Sequence, residues 1–242
     1  MSDTAIFIQA RMGSHRLPGK IMRSCINNKS ILELIIERLN NIKNVHQIYV
    51  LTSNEKEDLK IVEECNKLGV NVFCGDEKNV LKRFYDLAKT LEKINVIVRI
   101  CADSPLHDPD IIDQGIQYFK KNKFDYVSNC CPRTLPYGTA VEVFYKSVLK
   151  KVYQNVVEEN EKEHVTPYIR NNPDLFKIGN FTNDIDLSHH RWTLDYEDDY
   201  KMICTIYKEL YPENPNFKMM DVVKLLEERP DIYEITAHLP RD

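Results

Sequence analysis

What the sequence lacks narrows the possibilities first. No stretch approaches the ~18 consecutive uncharged apolar residues that a membrane-spanning helix needs. The one apolar run near the start, residues 5–8, follows Asp3 and is too short for the centre of a signal peptide. Surplus positive charge is also missing: 33 Lys and Arg stand against 37 Asp and Glu, a net charge of −4. No global field therefore exists to hold a nucleic-acid backbone, and any polyanion has to be met locally. The seven cysteines contain no C-x-x-C pair, and the neighbours Cys130 and Cys131 match no zinc spacing. Reduced thiols in a cytoplasmic protein are expected rather than a disulfide framework. Linkers rich in Gly, Ser or Pro, internal repeats and low-complexity tracts are absent too. What remains is 242 residues, 43% hydrophobic and 29% charged, enough for one large core or two modest ones. One domain over residues 1–242 is the simplest expectation, with no nucleic-acid or membrane partner.

Short apolar runs alternate with longer helical patterns, the rhythm of strand and helix units feeding a largely parallel sheet, so the expected class is α/β. Strands are expected at 4–9, 47–52, 70–73 and 95–100, with helices at 55–67 and 80–91 between them. Ser30 with Glu33 forms a capping box ahead of an apolar helix reaching Leu39. Asp108 can cap a helix with Pro109 at its first position and Ile111, Ile112, Ile116 and Phe119 as its inner stripe. After 125–128 the rhythm changes. Residues 139–145 alternate like a strand, 161–171 read as helical, and 176–181 with 190–194 read as a β pair, so that the C-terminal half carries a small β-containing embellishment. Helices near 196–210 and 219–228 close the chain, the first with Tyr200, Ile203, Tyr207 and Leu210 on one face.

The loop after the first strand, Ala10-Arg-Met-Gly-Ser-His-Arg-Leu-Pro-Gly-Lys20, holds the most information. In residues 1–28, Arg11, Arg16, Lys20 and Arg23 face only one carboxylate, Asp3, so an acidic chain has a basic mouth. In open α/β sheets ligands bind beyond the carboxyl ends of the strands. There Gly13 lets backbone N–H groups approach an anion while guanidinium and ammonium groups neutralise it. A triphosphate is the natural candidate. The loop is neither a Walker A motif, since five residues separate Gly13 from Gly19 and Ile21 follows Lys20, nor G-x-G-x-x-G. A solvated basic loop is the plainer alternative.

Arg11-Met-Gly-Ser-His-Arg-Leu-Pro-Gly-Lys20 resembles the opening signature of the cytidylyltransferases that activate sugar acids, and most closely their spore coat polysaccharide branch. The resemblance continues through 75–83, Arg99-Ile-Cys-Ala-Asp-Ser-Pro-Leu106, 136–144, Glu163-His-Val-Thr-Pro-Tyr168 and Arg191-Trp-Thr-Leu-Asp195. It implies a nucleotidyltransferase fold like that of the glycosyltransferase A class. It also implies a Mg²⁺-dependent reaction of CTP with a small anionic acceptor and release of pyrophosphate. On this pattern residues 1–130 form the nucleotide half and 131–242 the acceptor half, and a homodimer is expected because related synthetases are often dimers. Arg11, Lys20 and Asp103 would be catalytic, with Ala10, Gly13, Ser14, Arg16, Gly75 and Arg83 on the nucleotide.

Each remaining candidate has a structural alternative. Asp103 follows the fourth strand, where a hard oxygen ligand suits Mg²⁺, or it serves as a turn residue. Asp195 is the second metal candidate, although it and Asp198 could simply cap the next helix; where the family commonly has a second acid, this chain has Thr193. Glu142 lies on the face of its strand opposite Val141 and Val143, pointing to the acceptor pocket or to solvent. His164, Arg191 and Arg170 are acceptor candidates, Arg191 otherwise snorkelling, and Lys82-Arg83 could be an exposed helix face. Trp192 is read as a packing residue. Two rival functions fit the same pattern: a sugar-nucleotide-dependent glycosyltransferase, and a nucleotide-binding module without turnover.

Overall fold

The computed structural model describes residues 3–240. In chain order the elements are β1 (Thr4–Gln9), β2 (Ser24–Ile26), β3 (Lys29–Ser30), α1 (Ile31–Leu39), β4 (Gln47–Ser53), α2 (Leu59–Leu68), β5 (Asn71–Gly75), α3 (Val80–Thr90) and β6 (Val96–Cys101). The chain continues through α4 (Pro109–Asn122), β7 (Tyr126–Ser128), β8 (Glu142–Tyr145), α5 (Lys146–Asn155), α6 (Glu159–His164), α7 (Pro167–Asn171), β9 (Ile178–Asn180), α8 (Glu197–Leu210), α9 (Met219–Glu228) and α10 (Pro230–Glu234).

The class is α/β. Seven strands form one sheet in the order β5-β4-β1-β6-β8-β7-β9. β1 is apolar at nearly every position because both its faces are covered. Ile6 and Ile8 enter one core with α1, α4, α8 and α9, whereas Ala5 and Phe7 enter the other with α3, α5 and α7. β5, β4, β1 and β6 run parallel, and β8 is antiparallel to both β6 and β7. The chain leaves β1 towards β4 on one side and returns to β6 on the other, so the switch in strand order falls between β1 and β6. A crevice opens there beyond the strands' carboxyl ends.

The start signals act at the expected residues, although Ser30 and Glu33 make only the Oγ half of the capping box, the Glu33 carboxylate pairing with Lys29 at 3.3 Å. Ser30 Oγ accepts from Glu33 N at 3.1 Å. Asp108 accepts from Asp110 N at 2.9 Å and, with its other oxygen, from Met219 N at 2.7 Å, so one carboxylate caps α4 and pins the start of α9. The extra β segments after residue 130 are present but join the main sheet: β9 pairs with β7. Residues 190–194 do not pair with it; they form a single bridge from Arg191 to Tyr137. The region read as one helix over 161–171 breaks into α6 and α7, separated by Val165 at φ 69°. One expectation about cysteine fails. Cys25 in β2 and Cys204 in α8 form a disulfide across 179 residues, a proximity that only tertiary packing creates. The other five cysteines are free. Among the described residues no helix is long and apolar enough to cross a membrane.

Candidate active site

The loop between β1 and β2 is shaped by two local devices and one from a neighbouring strand unit. Gly19 sits at φ 67°, where an L side chain is strained, and its N–H donates to Met12 O at 3.0 Å, closing the loop on itself. Ser14 Oγ accepts from Leu17 N at 3.4 Å. Asp58, ahead of α2, reaches over from the neighbouring strand unit to accept from Met12 N at 2.7 Å, while its second oxygen accepts from Thr52 Oγ1, Ser53 N and Ser53 Oγ at 2.9, 3.0 and 2.5 Å. Burial pushes the Asp58 carboxyl up, but the hydrogen bonds from Ser53, Met12 and Thr52 outweigh it and hold the group below the usual carboxylate range. The loop's own bonds leave the N–H groups of Arg11, Gly13, His15 and Arg16 without a protein acceptor among the described residues. These free donors and the cations beside them are what an anion needs. Gly13 itself is exposed with open space around it, so no packing explains it.

Over this loop lies a cavity of about 540 Å³ that brings together Ala10, Arg11, Ser14, Arg16, Lys20, Asp103, His164 and Asp195 from the expected set. Gln9, His15, Arg99, Cys101 and Glu163 also line it. Lys20, with its side chain only 9% exposed, is the hub: Nζ donates to Leu194 O at 2.5 Å, to Asp195 Oδ1 at 3.0 Å and to Asp103 Oδ2 at 3.4 Å. Arg16 Nη2 lies 3.0 Å from the same Asp195 oxygen, and its guanidinium stacks 5.0 Å over the Tyr196 ring. Arg11 pairs with Glu163 of α6 at 3.2 Å across the mouth.

Asp195 is not the helix cap. Asp199 takes that role, accepting from Asp195 N and Tyr196 N at 2.8 and 2.9 Å, and Asp198 pairs with Lys201. Burial raises the Asp195 carboxyl, yet Lys20, Arg16 and Arg191 together bring it below its ordinary value, so it stays ionised. Its place depends on Gly138: at φ 97° that residue lets the chain of Thr193 pass so close that a Cβ would meet Thr193 N at 2.3 Å. Trp192 N then donates to Tyr137 O at 2.7 Å and Leu194 N to Asp103 O at 2.8 Å, which sets Asp195 beside Asp103. Among the described residues no three His, Cys, Asp or Glu side chains gather as a metal cage. Two carboxylates around one point nonetheless suit Mg²⁺, which usually takes one or two from the protein and the rest from phosphates and water.

Six expected site residues do not line the cavity: Gly13, on the loop beside it, and Gly75, Arg83, Glu142, Arg170 and Arg191. Glu142 is buried and fully engaged: it accepts from Tyr126 Oη at 2.5 Å, from Thr166 Oγ1 at 2.6 Å and from Arg99, which faces it in register across β6 and β8. It therefore positions Arg99, the residue that does reach the cavity. Arg191 is neither snorkelling nor in the cavity; it is clamped by Asp199 at 2.9 and 3.0 Å. Arg83 is buried and donates to the carbonyls of Leu51, Asp76 and Glu77 at 3.2, 3.1 and 3.1 Å, tying β4 to the end of β5, and Gly75 packs beneath it. Arg170 is exposed on α7. Trp192 is wholly buried packing. Sequence reading missed Asp58, Arg99 and Glu163. Arg99 alone left a signal, a charge inside an otherwise apolar strand.

The sequence matches the cytidylyltransferase family over residues 5–232. It is 39% identical over 234 residues to an uncharacterized protein of Methanocaldococcus jannaschii, covering 96% of this chain and 93% of the other. It is 31% identical over 240 residues to the spore coat polysaccharide biosynthesis protein SpsF of Bacillus subtilis, covering 96% and 97%. A cytidylyltransferase structure from Leptospira borgpetersenii superposes with a TM-score of 0.91 at 34% identity, covering 96% of this chain and 97% of that one.

Proposed function

The chain belongs to the cytidylyltransferase family, and from that premise we propose that it transfers CMP from CTP to an acceptor oxygen with release of pyrophosphate. One observation carries the reading to the site: Arg11, Arg16 and Lys20 line one cavity with Asp103 and Asp195, on a loop whose N–H groups at Arg11, Gly13, His15 and Arg16 have no protein acceptor among the described residues. In the reaction the acceptor oxygen forms a bond to the α-phosphorus as the bond from that phosphorus to the pyrophosphate oxygen breaks. The acceptor proton passes to solvent, and no covalent enzyme intermediate is needed. Arg11, Arg16 and Lys20 offset charge on the departing phosphates, and the Gly13 region supplies backbone donors. Asp103 and Asp195 are the residues that would hold Mg²⁺, whose chemistry is to neutralise phosphate oxygens and fix their geometry. The protein's own contribution is positioning plus electrostatics.

The acceptor side is the lobe of Gln9, Arg99, Glu163 and His164. Arg11, Arg16 and Lys20 are assigned to the triphosphate, and Arg99, whose charge is already met by Glu142, remains as the lining guanidinium donor for an anionic sugar, sugar acid or small phosphorylated compound. The name of the Bacillus subtilis relative supports an acceptor destined for surface polysaccharide. The test is pyrophosphate release from CTP, ATP, GTP and UTP with a panel of sugar acids and sugar phosphates. CTP is expected to dominate. Comparable release from another triphosphate refutes the cytosine preference, nucleoside diphosphate release identifies a glycosyltransferase, and binding without turnover identifies a module that is not an enzyme.

A further inference from the structure

The Lys20 ammonium occupies the point at which the two candidate metal carboxylates converge. Its three donors meet three oxygens, those of Leu194 O at 2.5 Å, Asp195 Oδ1 at 3.0 Å and Asp103 Oδ2 at 3.4 Å. Three N–H groups are all an ammonium has. These oxygens are also hard donors of the kind a divalent ion takes, so a metal and Nζ compete for one set of partners at a separation where two positive charges repel strongly. The backbone at residue 20 is set by Gly19 and the short 3-10 turn Lys20–Met22, but the four-carbon stem is flexible. Asp103 keeps 36% of its side chain open to the cavity, so the approach from the nucleotide side is not closed. Asp195 loses only one of three cations when Nζ leaves, because Arg16 at 3.0 Å and Arg191 at 3.6 Å remain.

We propose that Lys20 is a resident cation of the nucleotide-free protein. It holds Asp103 and Asp195 together, keeps divalent metal out, and leaves only when a triphosphate offers Nζ another anion, so that metal enters with the nucleotide and not before it. This rests on the triphosphate reading above. One residue then has effects of opposite sign: removing Lys20 costs turnover but improves metal binding to the protein alone.

The experiment is a Mn²⁺ titration of the purified protein, read as loss of the free Mn²⁺ signal by electron paramagnetic resonance, without nucleotide and with CTP. The parent is expected to bind Mn²⁺ weakly alone and tightly with CTP. Lys20→Met is expected to bind it about tenfold more tightly than the parent without nucleotide, and adding Asp195→Asn should abolish that gain. Lys20→Gln serves as a second variant, each being checked by a thermal melt. Lys20→Met or Lys20→Gln binding no more tightly than the parent overturns the proposal, as does a parent whose Mn²⁺ affinity is the same with and without CTP. Pyrophosphate release by the parent separates the two readings. An active parent with no gain in the variants rejects only the resident cation, while a gain with no turnover by the parent rejects only the reaction.

Discussion

Asp199 has no exposed surface and spends both oxygens inside the protein, on the Arg191 guanidinium and on the N–H groups of Asp195 and Tyr196. Removing one partner of such a buried pair strands the other charge, at a cost of about 3–5 kcal/mol. Asp199→Ala is accordingly expected to lower stability by that amount, measured by urea unfolding. A change within about 0.5 kcal/mol, the scale of an uncritical surface substitution, would contradict the clamp. Asp195, four residues earlier, calls for a different outcome. Its cap role is taken by Asp199, so Asp195→Asn should retain α8, seen by circular dichroism. As a metal ligand it should also lose activity and require more Mg²⁺, because the amide keeps the shape and removes the charge. Activity against Mg²⁺ that overlays the parent's would remove Asp195 from the proposed metal site.

On the scale of elements, the basic loop after β1 is a span without regular structure, and its order is borrowed from the neighbouring β4–α2 unit through Asp58. Asp58→Ala leaves several buried donors without an acceptor, at about 1–3 kcal/mol each before relaxation. The expected result is faster amide hydrogen exchange over residues 12–19, a weaker CTP interaction, and little change in β1, which is held by ladders on both sides. Unchanged exchange in the loop would show that Gly19 and Ser14 suffice to order it. This anchor was invisible beforehand because Asp58 lies 46 residues from Met12, in a stretch that reads as an ordinary amphipathic helix start.

For the molecule as a whole, pH enters through His107, which is buried where α1 and the chain after β6 meet. Burial first, and the nearby Arg38 charge second, depress its pKa from 6.5 to about 3. Below pH 6.5 the unfolded chain takes up a proton that the folded one refuses until about pH 3. Stability is therefore present above the unfolded value and lost as pH falls through this window. Between pH 7 and pH 5 this one group should remove about 2 kcal/mol. His107→Phe should flatten that part of the decline in urea unfolding at the two pH values, and an identical slope would show that other groups set it.

Local signals were enough for the parallel half of the sheet. The apolar runs of β1, β4 and β6, the Ser30 and Asp108 caps and the glycine at the end of α2 all depend on neighbours within a few residues, and each was legible. The basic loop was legible for the same reason, since its cations are crowded into one short segment after a strand. Partnership across the chain was not. Arg191 and Arg83 were read as free cations, but Asp199 clamps one and backbone carbonyls consume the other's donors. Strand alternation left Glu142 facing either the pocket or solvent and the family resemblance favoured the pocket; the antiparallel register that sets it against Arg99 made it a support instead. The sequence by itself determined the strand and helix rhythm and the crowding of cations after β1, because those follow from short-range periodicity and composition, and its motifs carried the resemblance to the family. Only the tertiary structure decided which charges remain available and which are already spent, because burial and pairing depend on groups far apart in the chain, 175 residues between Lys20 and Asp195.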